Sequence, residues 1–208
     1  VNNDSNKETL EHYYSLISFL FFLPDTERLF LASPSTRRNF IDHFIFSYDK
    51  NYNKLINQYN KNIYERSKVL NFPKNDLDWL DNIEKKIAKL GLEIYLMRKQ
   101  QTQITIKYVN TILKNFHLPF DLNINLKDLY FDEKLNEDIY FIDLKKNRNL
   151  DRITGGSKIG PHKSDYDFIV NKESLASQLS TGQQKTLILL IFLAQCKYLK
   201  LTFKKSPI

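Results

Sequence analysis

Leu179-Ser180-Thr181-Gly182-Gln183-Gln184-Lys185 gathers residue types that can hold an anion. The stretch stands between a polar loop and the apolar run Leu187 to Ala194, where a helix would begin. The first turn of a helix has N–H groups without intrahelical acceptors and carries the positive end of the dipole, so it attracts phosphate oxygens. Ser180 adds a hydroxyl donor. Gly182 has no side chain, so its backbone can approach a phosphate closely. Lys185, near the helix start, is locally unfavourable unless an anion is present. The same residues also allow a plainer chemistry, with Ser180 or Thr181 serving as an N-cap.

Other residues invite weighing. Arg37-Arg38, at the start of a second expected helix, could hold phosphate or partner carboxylates, or could form a solvated pair. His162 could be a ligand or base, but no Cys/His/Asp cluster has metal spacing, so no metal is expected. His12, His43 and His117 read as ordinary surface or core residues, and Cys196 as a small core residue. A lone cysteine cannot form an internal disulfide, which fits a reducing cytosol. The formal net charge is +7 and is unevenly spread. Between Lys50 and Asn115 there are 13 Lys/Arg against 6 Asp/Glu, and the remainder holds 18 of each. All the excess positive charge falls in one segment, which could face phosphates or could decorate a solvated surface. Lys85, Lys86 and Lys89 are its densest group and the candidate phosphate contacts.

The elements that must position these residues follow from periodicity. Ile17 to Leu23 reads as a buried strand stopped by Pro24. A short amphipathic piece, Thr26 to Leu31, leads to a Ser33-Pro34-Ser35 turn and a helix over Arg37 to Phe46. From Asn51 to Phe116 the chain is helical. Tyr52, Ile56, Tyr59 and Ile63 make one stripe, and Leu80, Ile83, Ile87, Leu90, Ile94 and Met97 another. Phe72 to Asp76 separates them, and a third stretch ends before Pro119. Phe120 to Leu126 alternates as a half-buried strand, Asp132 to Asn149 can form a helix, and Asp167 to Val170 is another strand. Leu187 to Leu199 is a helix apolar on nearly every side and needs a large surface to bury against. No uninterrupted apolar run is long enough to cross a bilayer, so no membrane partner is expected. The chain starts without methionine and stops at Ser206-Pro207-Ile208, which reads as an internal fragment cut where a strand begins.

Taken together, these residues resemble a known family. Leu179 to Gln183 is similar to the Leu-Ser-Gly-Gly-Gln signature loop of ABC-type ATPases, with Thr181 in place of the middle glycine. Gly160-Pro161-His162-Lys163-Ser164-Asp165 resembles the Gly-Pro-His-Arg-x-Asp block of the RecF family, with Lys163 for arginine and Gly155-x-Ser157 as lead-in. Pro24-Asp25, Ser33-Pro34, Arg37-Arg38 and Phe40-Ile41-Asp42 resemble that family's upstream block, with Ala32 where glycine is usual. Tyr64-Glu65-Arg66 and Trp79-Leu80 are similar to landmarks of its helical lobe.

The resemblance implies an α/β fold: part of an ABC/SMC-like P-loop ATPase head (residues 1–46 and 119–208) with an inserted helical lobe (47–118). It implies a cytoplasmic protein of DNA replication, DNA damage repair and the SOS response. ATP-dependent homodimerisation would close a clamp on gapped, single-stranded or double-stranded DNA, and RecR and RecO would cooperate in loading recombinase. Ser180, Thr181, Gly182, Gln183 and Lys185 would contact ATP held by a partner head, and Asp25, Arg37, Arg38, His162 and Lys163 would lie towards the nucleotide face. Such a head needs a Walker A loop and a Walker B strand ending in Asp-Glu. Neither string occurs in these 208 residues. ATP and Mg²⁺ are therefore expected for the complete family member, and no cofactor and no catalysis for this segment alone. Two alternatives stand beside this reading: the head of another ABC-type ATPase (an SMC or Rad50 relative, or a transporter subunit), and a non-enzymatic helical binding module.

Overall fold

The computed structural model describes residues 17–20, 24–72, 77–118 and 120–207. A 3-10 helix, Pro24–Leu31, precedes the first α-helix, α1 (Pro34–Phe46). Extended Ser33 caps α1 by accepting the Thr36 amide at 3.3 Å. Pro34 occupies the first turn, where a missing N–H costs no hydrogen bond. Helix α2 (Asn51–Leu70) and helix α3 (Leu77–Asn115) follow. The expected third stretch is not separate. It continues α3 without a break to 39 residues, because nothing after Gly91 interrupts good helix formers. Glycine at 91 has a packing reason: a Cβ there would lie 2.7 Å from the Tyr140 ring and 3.0 Å from that of Tyr59.

The helix expected over Asp132 to Asn149 divides into α4 (Glu137–Lys146) and α5 (Arg148–Thr154). It starts late because Asn136 is the cap, its side-chain oxygen accepting from the Ile139 amide at 2.9 Å. Asp132 turns instead to the Lys134 amide at 2.8 Å. Gly155, at φ 77°, ends α5 in the left-handed region. Helix α6 (Thr181–Phe203) closes the sequence of helices.

The strands are β1 (Ile17–Ser18), β2 (Leu122–Lys127), β3 (Asp165–Val170), β4 (Ser174–Leu175) and β5 (Ser206–Pro207). The first strand is shorter than the apolar run suggests, and residues 21–23 lie outside the described set. Among the described residues β1 pairs in parallel with β5, Ile17 opposite Ser206 and Ser18 opposite Pro207. A second sheet has the order β2-β3-β4. The β3–β4 hairpin turns through Asn171 and Lys172, both at positive φ (54° and 66°). Asparagine tolerates that conformation; lysine gives no hint of it in the sequence.

The chain divides into two compact units. The first comprises residues 1–49, 100–125 and 166–208. Its core joins Leu29, Ile41, Phe44, Ile45, Leu187, Ile188 and Ile191. Phe30 meets Phe168 edge-on at 5.1 Å, and Phe192 meets Phe44 at 5.4 Å. The Asn110 side chain both donates to and accepts from Leu122 backbone at 2.8 Å, which pins the start of β2. Helix α6 has the length and hydropathy that a bilayer crossing would need, yet Gln195 sits buried on it. Gln195 donates to the Phe44 carbonyl and the Ser47 hydroxyl, and accepts from Gln101 at 3.0 Å. That is the polar interior of a packed unit, not a lipid-facing surface.

The second unit comprises residues 50–99 and 126–165. Helices α2 and α3 contribute Tyr52, Tyr59, Val69, Leu80, Ile83, Ile87 and Ile94 to its core, with Tyr140 and Leu144 from α4. A buried ion network ties these helices. Arg66 donates to Glu84 at 2.8 Å, Asp151 at 2.7 Å and the Leu144 carbonyl at 2.8 Å. Arg148 reaches the other side of Glu84 and also Asp81. Hydrogen bonds from Lys145 and Arg148 hold the Asp81 carboxyl below the ordinary carboxylate range.

Candidate functional site

Ser180 has extended backbone, with φ −60° and ψ 156°, and begins α6 with a complete capping box. Its hydroxyl accepts the Gln183 amide at 3.4 Å, while the Gln183 side-chain oxygen accepts the Ser180 amide at 3.0 Å. The plain N-cap chemistry allowed by the sequence is therefore present. It does not exhaust the site. A hydroxyl that accepts a cap bond still has its own proton to donate. The Thr181 and Gly182 amides are among those that helix geometry leaves without an intrahelical acceptor. A Cβ on Gly182 would meet nothing within 4 Å, so packing does not require glycine there. Space at that position is compatible with a phosphate approaching the first turn. Thr181, Gly182, Gln183 and Lys185 are all exposed.

Gln184, not singled out by sequence reasoning, holds this loop. It is buried, and its amide nitrogen donates to the Leu179 carbonyl at 2.8 Å and that of Ser177 at 3.3 Å. The incoming chain is thus fastened to the first turn of α6 before Ser180 is reached. Its signal lay one residue beyond the capping motif.

In the same unit, Arg37 is half-buried and one guanidinium nitrogen donates to the Ala32 carbonyl, bracing the turn before α1. Arg38 is also half-buried, on the first turns of α1. Ala32 has no positive φ, so glycine is not required there. Asp25 lies in the 3-10 helix, and its side chain falls outside the described set.

His162 and Lys163 belong to the second unit. Nε2 of His162 faces the Ser157 carbonyl at 3.1 Å, and Nδ1 faces the Tyr59 hydroxyl at 2.8 Å. A carbonyl only accepts, so Nε2 carries a proton, and in the neutral ring Tyr59 donates to Nδ1. Tyr140 adds its hydroxyl to that of Tyr59 at 3.3 Å. Burial raises the Tyr59 and Tyr140 phenols well above their ordinary value, so both remain neutral donors. Arg98 is buried and donates to the Pro161 carbonyl at 2.6 Å. Gly160, at φ 124°, leaves room for the two tyrosine hydroxyls, with which any Cβ would collide. Further along, Ser164 donates to Asp128 at 2.5 Å, and Tyr95 donates to the same oxygen at 2.8 Å. The Gly160–Asp165 block is therefore a locked loop in which His162 is a structural pin. Lys163 is exposed at its turn.

Lys85, Lys86 and Lys89 project from the exposed side of α3. Lys85 lies 5.6 Å from the Phe141 ring centroid, and Lys145 lies 5.1 Å from the same ring.

No protein-family model matches the chain. Individual proteins do. It is 32% identical over 214 residues to the DNA replication and repair protein RecF of Rickettsia massiliae, covering 100% of this chain and 56% of that protein. It is 31% identical to the RecF of Rickettsia bellii (strain OSU 85-389), covering 98% and 60%. The RecF of Rickettsia canadensis is 29% identical over 212 residues, again 100% and 56%. The chain thus spans somewhat more than half the length of these curated relatives. In fold it is similar to a solved structure of the recombination mediator protein RecF-ATP in the RecFOR pathway. That match has a TM-score of 0.78 at 24% identity and covers 93% of this chain and 53% of that one. Matched along its length by these proteins and sharing their fold, the chain belongs to the RecF family of DNA replication and repair proteins.

Proposed function

We propose that this chain supplies the signature-loop half of an ATP-dependent, dimeric DNA clamp acting in recombinational gap repair. In this reading Ser180, Thr181, Gly182, Gln183 and Lys185 meet the terminal phosphate of ATP held by a second head. The single observation that carries it is the α6 N-terminus: a preformed capping box beside a glycine with open space in front of it. The residues present fit a phosphate. First-turn amides and the Ser180 hydroxyl donate, the helix dipole favours negative charge, and Lys185 adds a cation. In this reading Mg²⁺ enters with the partner's nucleotide.

Arg37, Arg38, His162 and Lys163 act in support, the first two as candidate phosphate or carboxylate partners and the others through the locked Gly160–Asp165 loop. Lys85, Lys86 and Lys89 make sequence-independent phosphate contacts to single- or double-stranded DNA, which weaken steeply with salt. RecO and RecR are the partners this role calls for, with loading of recombinase as its outcome, the SOS response as its setting and the cytoplasm as its place. Catalysis rests with the assembled heads, and the chain alone binds no ATP tightly.

Ser180→Asp tests the central claim. Aspartate caps helices as well as serine, so stability should change by less than about 0.5 kcal/mol. A carboxylate facing phosphate should nonetheless abolish ATP-dependent capture of the chain by a full-length RecF. Capture of the variant equal to that of the parent, or capture indifferent to ATP, removes the proposal.

A further inference from the structure

The outer face of α2 takes no part in the site above. Lys54, Lys61 and Lys68 recur every seven residues, so they stay on one face with a drift of about 20° per heptad. At 1.5 Å per residue, neighbouring members stand about 10.5 Å apart along the axis. Asn57 falls between the first two and Tyr64 between the second two, while Phe72 follows Lys68 by four residues. All six are exposed, Tyr64 by 61% and Phe72 by 55%. Lys68 Nζ lies 4.4 Å from the Tyr64 ring centroid. Glu65 is the sole acidic residue of α2, and it reaches Lys61 at 3.8 Å.

This face contributes nothing to the core, which α2 serves through Tyr52, Leu55, Tyr59, Arg66, Val69 and Leu70. An aromatic ring kept more than half exposed between lysines offers a π-face flanked by positive charge. Single-stranded nucleic acid has the matching chemistry, with unpaired bases to stack and regularly spaced phosphates to neutralise. A duplex hides its base faces and could use only the lysines. The absence of acidic residues from the stripe itself completes the charge complementarity.

We infer that the Lys54–Lys61–Tyr64–Lys68 face of α2, continued by Phe72 just past its C-cap, is a binding track for single-stranded nucleic acid, with Tyr64 and Phe72 as stacking platforms. The inference rests on the nucleic-acid reading of the preceding section but uses a surface separate from Lys85, Lys86 and Lys89.

Fluorescence anisotropy with a labelled deoxythymidine oligomer, an abasic oligomer of equal length and a duplex tests it on the whole chain. Tyr64→Ala with Phe72→Ala should weaken binding to the oligomer roughly five- to a hundredfold, as expected for lost stacking, and leave the salt slope unchanged. The same variant should bind the abasic strand and the duplex as the parent does. Lys61→Glu with Lys68→Glu should flatten the log–log salt slope for the single strand by about 0.7 per lysine. Helical circular dichroism equal to the parent's checks that both variants are folded. If the aromatic variant binds base-bearing and abasic strands with the parent's affinities, or instead loses a protein partner while keeping the oligomer, the track is refuted. Duplex affinity sensitive to reversal of Lys85, Lys86 and Lys89 would then leave the broader DNA-binding reading standing. Binding of none of the three probes by the parent chain would sink both.

Discussion

Two glycines in the motif blocks show how differently one residue type can be used. Gly160 is fixed by its surroundings: it has a φ of 124° and two tyrosine hydroxyls where a Cβ would go. Gly160→Ala combines backbone strain with overpacking and should destabilise the chain by about 2–4 kcal/mol, read as a lowered urea midpoint. Gly182 has an ordinary φ and nothing within 4 Å of a built Cβ. Gly182→Ala should leave stability unchanged or raise it by up to about 1 kcal/mol, because alanine favours helix. Its loss should appear only in ATP-dependent association. A Gly182→Ala variant that unfolds, or that associates normally, contradicts this division of labour. The sequence showed both glycines in motif blocks, yet it could not show which one packing demands. Tyr59 and Tyr140, which decide the matter at Gly160, lie far away in sequence.

At the scale of elements, α2 and α3 were legible because their apolar residues recur every three or four positions. The N-cap at Ser180 was legible too, while the reciprocal bond from Gln183 that completes a capping box was not singled out. What joins the elements was not. Arg66 is the clearest case: as part of Tyr64-Glu65-Arg66 it read as a helical landmark, but it is fully buried between Glu84 of α3 and Asp151 of α5. Those partners are 18 and 85 residues away, beyond the reach of any local pattern. Arg66→Ala would take the cation from the buried Asp151 carboxylate and leave Glu84 to Arg148, and should cost about 3–5 kcal/mol. Arg66→Met combined with Asp151→Asn should recover part of that loss in a thermal melt. No recovery would mean that the network is not what holds the helices. Hairpin β3–β4 was missed for a related reason, since Lys172 adopts a left-handed conformation that lysine does not announce.

Across the whole molecule, buried phenols set an alkaline limit. Burial is the leading cause that raises Tyr48, Tyr59, Tyr95, Tyr130 and Tyr140 above their ordinary value of 10.0, with Asp128 adding to the effect at Tyr95. A raised folded-state value means that the folded chain holds its protons while the unfolded chain releases them. The stabilisation is therefore complete below about pH 10 and drains away as pH rises towards the folded-state values. Urea midpoints should stay level from about pH 7 to 9 and fall steeply above about pH 10. Tyr95→Phe should make that fall shallower. An alkaline slope equal to the parent's would show that this phenol is not responsible.

The pairing of β1 with β5 sets a timetable for synthesis. Ile17 meets Ser206, about 190 residues later, and the unit they share also draws on residues 100–125. At roughly 5–20 residues per second, a ribosome delivers the second strand some 10–40 s after the first. For that interval the edge of β1 that takes β5 lacks that strand, and contacts of such long sequence separation are the slow ones to form. Newly made chains should therefore depend on chaperones until translation has passed Pro207, and the first unit should become resistant to protease later than the second.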